Sequence, residues 1–256
     1  RAAKSHDANH KEPAVQPNKL TYTILFLLLF AAASAYRFPA LGSRPMHGDE
    51  ANQAVKAWTL YDQGVYEYDP FEHHGPTLYY GVLPILKLAG DATFPDVTEA
   101  QLRLLPALFG AGLLLLLWPL GRALGPWAAL WAAAFTAVSH AMVYYSRYYI
   151  QESLLVFFTL AALLAGRRYW ETRNLFWAII LGASLGLIHA TKETCILVYG
   201  AMACGLIGAY LLERRNPNPE PRPKLKPKHL ALIAATALFV SITLFSSFYT
   251  NLRGPL

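Results

Sequence analysis

Hydrophobic and polar positions along this chain are sorted into blocks. Seven apolar blocks stand out, at residues 20–36, 104–124, 127–145, 153–166, 175–190, 195–212 and 230–248. A membrane-spanning helix needs about 20 apolar residues, with a range of about 17–25. Three of the blocks lie near or below that lower limit. Trp and Tyr flank several of them, as interfacial aromatics do. The pattern predicts an all-α integral membrane protein with seven transmembrane helices. Between the first two blocks lies the one long extramembrane stretch, 37–103. Within it, "EANQAVKAWTLYDQG" carries Ala51, Ala54, Val55, Trp58 and Tyr61 on one helical face, with Gly64 as a stop. It reads as a helix lying on the membrane surface. "HHGPTLYYGVLPILKLAG" (73–90) is apolar, is interrupted by Pro84 and reads as interfacial or re-entrant. The organisation is then a polar cytoplasmic tail (1–19), one transmembrane module (20–250) with its outer loop, and the start of another outer loop (251–256). "ASA" at 33–35 also fits a signal-peptide cleavage site, although the 19-residue polar leader is long for one. Either way, residue 49 emerges on the same side.

Composition agrees with this. Of 256 residues, 55% are hydrophobic and 15% charged, a low charge content for a soluble protein. The two cysteines, Cys195 and Cys204, fall nine residues apart in the sixth block, without disulfide or metal spacing. The formal net charge is +6. With the N-terminus in the cytoplasm, the inner segments hold 14 basic and five acidic residues and the outer segments eight and eleven. The positive-inside rule favours that orientation. It explains the basic balance without a nucleic-acid partner, leaving anionic lipid as the natural counterpart. "RRNPNPEPRPKLKPK" is a stiff Pro-rich linker on the inner side.

Chemistry concentrates on the outer side. "PMHGDEANQAVKAW" (45–58) places His47, Asp49 and Glu50 just after the first span. Asp49 suits the N-cap of the helix that follows, and Glu50 its first turn. A capping role is compatible with catalysis. "HHGP" holds His73 and His74, either a solvent-facing turn or a metal or phosphate contact. "YYSRYYIQES" (144–153) holds Arg147 and Glu152, either an aromatic belt with a snorkelling cation or a wall of the cavity opposite Asp49. "HATKET" (189–194) holds Lys192 and Glu193, either a mutual pair at a hairpin tip or a functional pair at the membrane boundary.

A lipid-phosphate sugar donor suits such a set. Its leaving phosphate departs as a stable anion, which asks for positive charge rather than a general acid. The acceptor hydroxyl asks for a general base, and a carboxylate serves. A lipid donor also requires a site at the membrane surface. A divalent cation, magnesium or manganese, is a candidate cofactor, with Asp49, Glu152 and His73 as its candidate ligands.

"HGDEA" (47–51), "HHGPTLYY" (73–80), "RLLPALFG" (103–110), "SRYYIQE" (146–152) and "TKE" (191–193) together resemble the N-terminal module of GT-C glycosyltransferases, which use polyprenyl-phosphate sugars. The similarity is greatest to the protein O-mannosyltransferase and aminoarabinose-transferase branch, and within it to flippase-associated bacterial and archaeal membrane proteins. The ordered set covers most of residues 20–250. The resemblance implies that Asp49 is the catalytic base and Glu50 its partner. It implies that Glu152 is the second acidic position, that Lys192 meets the lipid phosphate, and that Arg103 braces the loop or binds phosphate, with Arg147 a further phosphate contact. Members usually continue with more spans and often a soluble domain, so this chain corresponds to the shared module. The expected activity is glycosyl transfer from a polyprenyl-phosphate donor at the non-cytoplasmic face of the cell membrane. A non-catalytic subunit of a larger membrane complex is the alternative. A lipid-linked-sugar transporter is disfavoured, because the spans carry almost no charge near their middles.

Overall fold

The computed structural model describes residues 16–69, 74–216 and 225–254. Each apolar block has become helix, and no strand occurs among the described residues. The helices are α1 (Lys19–Arg37), α2 (Gly48–Gln63), α3 (Thr77–Ala89), α4 (Glu99–Leu117), α5 (Gly121–Leu124), α6 (Pro126–Val138), α7 (His140–Ser146), α8 (Glu152–Thr172), α9 (Leu175–His189), α10 (Cys195–Arg214) and α11 (Pro227–Phe245).

Among the described residues, four helices have the length and composition to cross a membrane: α1, the continuous Glu99–Leu124 segment, α10 and α11. A fifth is the α6–α7 pair, bent by 60° at Ser139. The expected count of seven is therefore not what helix length and composition support. Helix α8 has 21 residues, but Glu152, Arg167, Arg168 and Glu171 crowd its two ends. Helix α9 has only 15.

The bend between α6 and α7 frees carbonyls in the last turn of α6. Arg37, fully buried at the end of α1, fills them: its Nη1 donates to Ala137 O (3.1 Å) and its Nη2 to Thr136 O (2.8 Å). A cation at a helix C-terminus also meets the negative end of the helix dipole.

Helices α9 and α11 pack backbone to backbone. A Cβ on Gly182 would lie 2.5 Å from Ile233 O, and one on Gly186 2.5 Å from Ala237 O. Small residues four apart allow such approach between helices in lipid, where packing replaces the hydrophobic effect. Leu27, Leu28, Leu197, Leu206, Leu238 and Phe239 stay exposed around the bundle, as lipid-facing side chains do.

The main core lies under one end of the bundle. Ala54 and Ala57 of α2 and Leu78, Tyr79 and Val82 of α3 pack on Leu102, Leu105, Leu154, Phe158 and Ile188 of α4, α8 and α9. The two loop helices thus sit as a cap on the membrane helices. Helix α2 ends at Gly64 (φ 74), as expected from the sequence. Tyr22, Phe26, Leu117, Ala129, Leu130 and Ala133 form a second core between α1, α4 and α6.

Candidate functional site

The first turn of α2 separates its two carboxylates. The N-cap is His47 rather than Asp49: Asp49 N–H donates to His47 Nδ1 at 3.2 Å, and His47 N–H donates to Glu50 Oε2 at 3.1 Å. This is a capping box with the glutamate at its third helical position. It moves Asp49 two places inside the helix and turns its side chain outward, 72% exposed. Glu50 points the other way and is fully buried.

Glu50 is the centre of a fastening that joins distant segments. Arg103 Nε donates to its Oε1 (2.7 Å) and Arg103 Nη2 to its Oε2 (2.9 Å). Tyr149 N–H donates to Oε1 (2.9 Å) and Arg44 Nη2 to Oε2 (3.2 Å). Burial pushes the Glu50 carboxyl up, but the Arg103 hydrogen bonds and the backbone donors of Tyr149 and His47 outweigh it and hold it below the usual range. Arg103 itself is 1% exposed. Its remaining donors go to the carbonyls of Leu41 (2.7 Å), Arg44 (2.8 Å) and Pro45 (3.2 Å). All five N–H groups of its guanidinium are used. Of the two roles expected for Arg103, bracing the loop fits, and no donor is left for phosphate.

Arg147 is also a fastener. Its Nη1 donates to the carbonyls of Tyr36 (3.1 Å), Arg37 (3.2 Å) and Pro39 (2.8 Å), and its Nη2 to Ala40 O (3.2 Å). It closes the C-terminal turn of α1, which explains its place better than a phosphate does.

The acidic and basic residues of the other motifs cross-pair. Lys192 and Glu193 do not pair at a hairpin tip. Lys192 Nζ donates to Glu152 Oε1 at 2.6 Å, with the two side chains 18% and 31% exposed. Glu152 Oε2 is shielded and has no hydrogen-bond partner among the described residues. Glu193 Oε2 lies 2.9 Å from His74 Nδ1. Burial raises the Glu193 carboxyl, and a backbone donor and His74 outweigh it, for a net lowering. The turn of "HHGP" rests on the "TKE" turn: Thr77 N–H donates to Ala190 O (3.1 Å), and Thr77 Oγ1 donates to Thr191 Oγ1 (2.9 Å). Any Cβ at Gly75 would stand 2.2 Å from Ala190 O, so glycine is required there.

A neutral network links the same segments one turn further along α2. Gln53 Oε1 accepts from Tyr79 Oη and from Gln151 Nε2 (3.1 Å). At the rim, the Arg44 guanidinium lies over Tyr144 (5.4 Å) and Tyr148 (5.1 Å). Burial, with the charge of Asp49, pushes the Tyr148 hydroxyl up to about 12.

The structure thus places Asp49, Glu50 and Arg103 in one hydrogen-bonded group around the first turn of α2, and Glu152 with Lys192 as a separate pair on the neighbouring turns at the same end of the bundle. Three residues were missed from sequence. Arg44 precedes "PMHGDE" and carries a visible signal, a cation beside the acidic pair. Gln53 and Gln151 carry none. The candidate metal set is not assembled among the described residues, where no three His, Cys, Asp or Glu side chains converge. Asp49 faces solvent, Glu152 is engaged by a lysine, and His73 lies outside the described residues.

The family model for dolichyl-phosphate-mannose-protein mannosyltransferases matches residues 77–251. The chain belongs to that family. It is 36% identical over 115 residues to protein O-mannosyl-transferase 1 of Danio rerio, an alignment covering 42% of this chain and 16% of that protein. Its fold resembles a chain in the structure of the S. cerevisiae protein O-mannosyltransferase Pmt1-Pmt2 complex bound to the sugar donor. That match has a TM-score of 0.67 at 20% identity, over 93% of this chain and 35% of the yeast one. The protein O-mannosyltransferase fold is therefore an all-α membrane module here, and the chain spans well under half the length of both relatives. The matched range includes four of the five sequence motifs in whole or part and leaves out "HGDEA", which the geometry alone ties to the rest.

Proposed function

We propose that this protein transfers a mannosyl group from a dolichyl-phosphate or related polyprenyl-phosphate donor to an acceptor hydroxyl at the non-cytoplasmic membrane face. The zebrafish and yeast relatives are protein O-mannosyltransferases, and the yeast structure is of a Pmt1-Pmt2 complex bound to the sugar donor. Assembly with a second membrane subunit belongs to the same reading.

The observation that carries the proposal is the division of labour between adjacent carboxylates. Glu50 is locked in the core, so α2 cannot rotate, and Asp49 is therefore presented outward at a fixed place. A carboxylate held in that position accepts a proton from an acceptor hydroxyl as its oxygen attacks the sugar. Lys192 uses one of its three N–H donors on Glu152. The other two are available to the phosphate oxygens that take up charge as the glycosidic bond breaks. Glu152 holds the ammonium in place. A divalent cation would have to displace Lys192 from Glu152, so no step is assigned to one.

Replacing Asp49 with Asn tests the reading. Mannosyl transfer from dolichyl-phosphate mannose to an acceptor peptide should fall by about 10²–10⁴-fold, the usual loss for a general base. Thermal stability should be unchanged, because the side chain is exposed. Full activity in the Asn variant would remove Asp49 from the mechanism.

A further inference from the structure

At the end of the bundle away from Asp49, α8 finishes, α9 begins and α11 begins. Tyr169 in the last turn of α8 is 3% exposed, and its hydroxyl is shielded with no hydrogen-bond partner among the described residues. The ring of His229, in the first turn of α11, lies 5.8 Å from it, centroid to centroid. His229 Nδ1 is likewise shielded and unpartnered. Buried polar atoms are nearly always satisfied, so two orphans side by side call for an explanation such as an absent ligand.

The surroundings indicate its charge. Arg173 ends α8 in the left-handed conformation (φ 53), which folds its guanidinium over Tyr169 (5.2 Å) and Trp170 (4.4 Å). A non-glycine residue there is uncommon and costs conformational energy, and the result is a cation held beside the two orphan atoms. Helix α11 starts at Pro227 without a side-chain cap, between exposed Lys226 and Lys228. Its positive dipole end is therefore uncompensated. Residues 167–174 and 225–229 carry five Arg or Lys against one acid, Glu171.

A phenol O–H, an imidazole N–H, a guanidinium and a free helix N-terminus are all donors to an anion. Exposed Leu175 and Phe176 beside them are apolar. We propose that this end binds the phosphate of an anionic phospholipid headgroup, with Arg173, His229 and Tyr169 as its contacts and the acyl chains along the start of α9. In the orientation proposed above this is the cytoplasmic leaflet, where anionic lipid is concentrated. The site is separate from the proposed donor site and does not depend on it.

The test reconstitutes the whole chain into nanodiscs of phosphatidylcholine, with or without phosphatidylglycerol, and follows thermal unfolding and lipid retention by native mass spectrometry. The wild type should be stabilised by phosphatidylglycerol and retain it selectively. Arg173→Gln should weaken retention about fivefold or more, the effect of one cation at a charged membrane surface. Tyr169→Phe should be as stable as wild type in phosphatidylcholine, since it removes an unpaired hydroxyl, yet lose much of the gain from phosphatidylglycerol. Should Tyr169→Phe not fold, Arg173→Gln carries the comparison alone. Equal retention of the two lipids would overturn the proposal. So would an equal loss in Arg215→Gln, which changes an exposed cation at the end of α10 and reports general charge attraction. Inorganic phosphate reproducing the stabilisation would assign the cluster to a soluble anion instead.

Discussion

Replacing Glu50 with Gln is the most demanding test of the architecture. The substitution preserves shape and removes charge. In the native protein every contact of the carboxylate is with a donor: Arg103 Nε and Tyr149 N–H on Oε1, and Arg103 Nη2, Arg44 Nη2 and His47 N–H on Oε2. A glutamine must point its own NH₂ at one of these two sets, whichever way its amide turns. It therefore loses at least two hydrogen bonds and leaves the buried guanidinium of Arg103 without its counter-charge. Breaking a buried ion pair from one side costs about 3–5 kcal/mol. By the scaling for domains of 150–250 residues, each kcal/mol moves Tm by about 2–4 °C. The expected fall is then roughly 6–20 °C, measured by thermal unfolding in detergent or nanodiscs. Asp49→Asn in the same assay should move Tm by no more than a degree or two. The pH dependence follows the same carboxyl. Its folded pKa is lowered, so its stabilising contribution is complete above the unfolded value, about 4.3, and is lost as pH falls through the lower folded value. The wild type should lose stability on acidification below about pH 4 more steeply than Glu50→Gln does. A Gln variant as stable as the wild type would refute the claim that Glu50 fastens the loop to the bundle.

Other perturbations probe separate parts of the structure. Lys192→Met should weaken binding of a polyprenyl-phosphate ligand by roughly 10- to 150-fold, the range of a charge-assisted hydrogen bond of about 1.5–3 kcal/mol; unchanged affinity would exclude Lys192 from the donor site. Gly110→Ala places a Cβ 2.0 Å from Ser146 Oγ and 3.3 Å from Arg37 Nε, and overpacking of this kind should destabilise by about 1–3 kcal/mol in a denaturation assay. Ala40 sits at φ 52 on an exposed turn, so Ala40→Gly should be neutral or stabilising by up to about 1 kcal/mol, against the usual penalty for glycine. Single cysteines at positions 49, 152 and 192 should react with a membrane-impermeant reagent in intact cells, and labelling only after permeabilisation would invert the proposed topology.

The sequence made the helices legible because each apolar block is nearly free of charge and bounded by polar or turn-forming residues. The C-terminal end of α2 could be read, since Gly64 is a local signal, while its N-cap, His47, lies two residues before the Asp49 expected in that place. What sequence could not supply was direction. Lys192 and Glu193 are neighbours of opposite charge, and pairing them is the economical reading. On a tight turn, however, successive side chains diverge, and each finds a partner from another motif: Glu152 lies 40 residues from Lys192 and His74 lies 119 from Glu193. The same limit explains Arg103 and Arg147. A cation at a membrane boundary suggests phosphate until one sees that backbone carbonyls at the end of α1 and in 41–45 already surround it. Helix length and composition support four or five spans among the described residues and leave the count of seven unconfirmed, since hydropathy alone does not register the bend at Ser139 or the charges at the ends of α8.

The arrangement explains how weak, scattered motifs can specify one site. Its fixed members, Glu50, Arg103 and Gln53, are buried and satisfied, and each spans a large sequence separation, 53 residues for the Glu50–Arg103 pair. They cross-link α2 to α4, to the segment after α7 and to α3, so the outer loop is held from several sides. Among the described residues, the side chains at this end with unused capacity include outward Asp49, the remaining donors of Lys192, the unpartnered Oε2 of Glu152 and the enclosed Oη of Tyr149. Polar groups that only hold a fold are expected to satisfy one another. Groups meant for a substrate keep a free bond. By that criterion the reactive surface proposed above, Asp49, Glu152 and Lys192, stands apart from the satisfied supports Glu50, Arg103 and Gln53, while Tyr149 Oη is enclosed and out of a substrate's reach. The criterion also makes a demand of its own. Glu152→Gln keeps an acceptor for the Lys192 ammonium and should leave the fold intact, but it removes the charge that holds the lysine in place. A variant that folds normally, binds donor normally and transfers at the wild-type rate would show that the Glu152–Lys192 pair belongs to the supports after all.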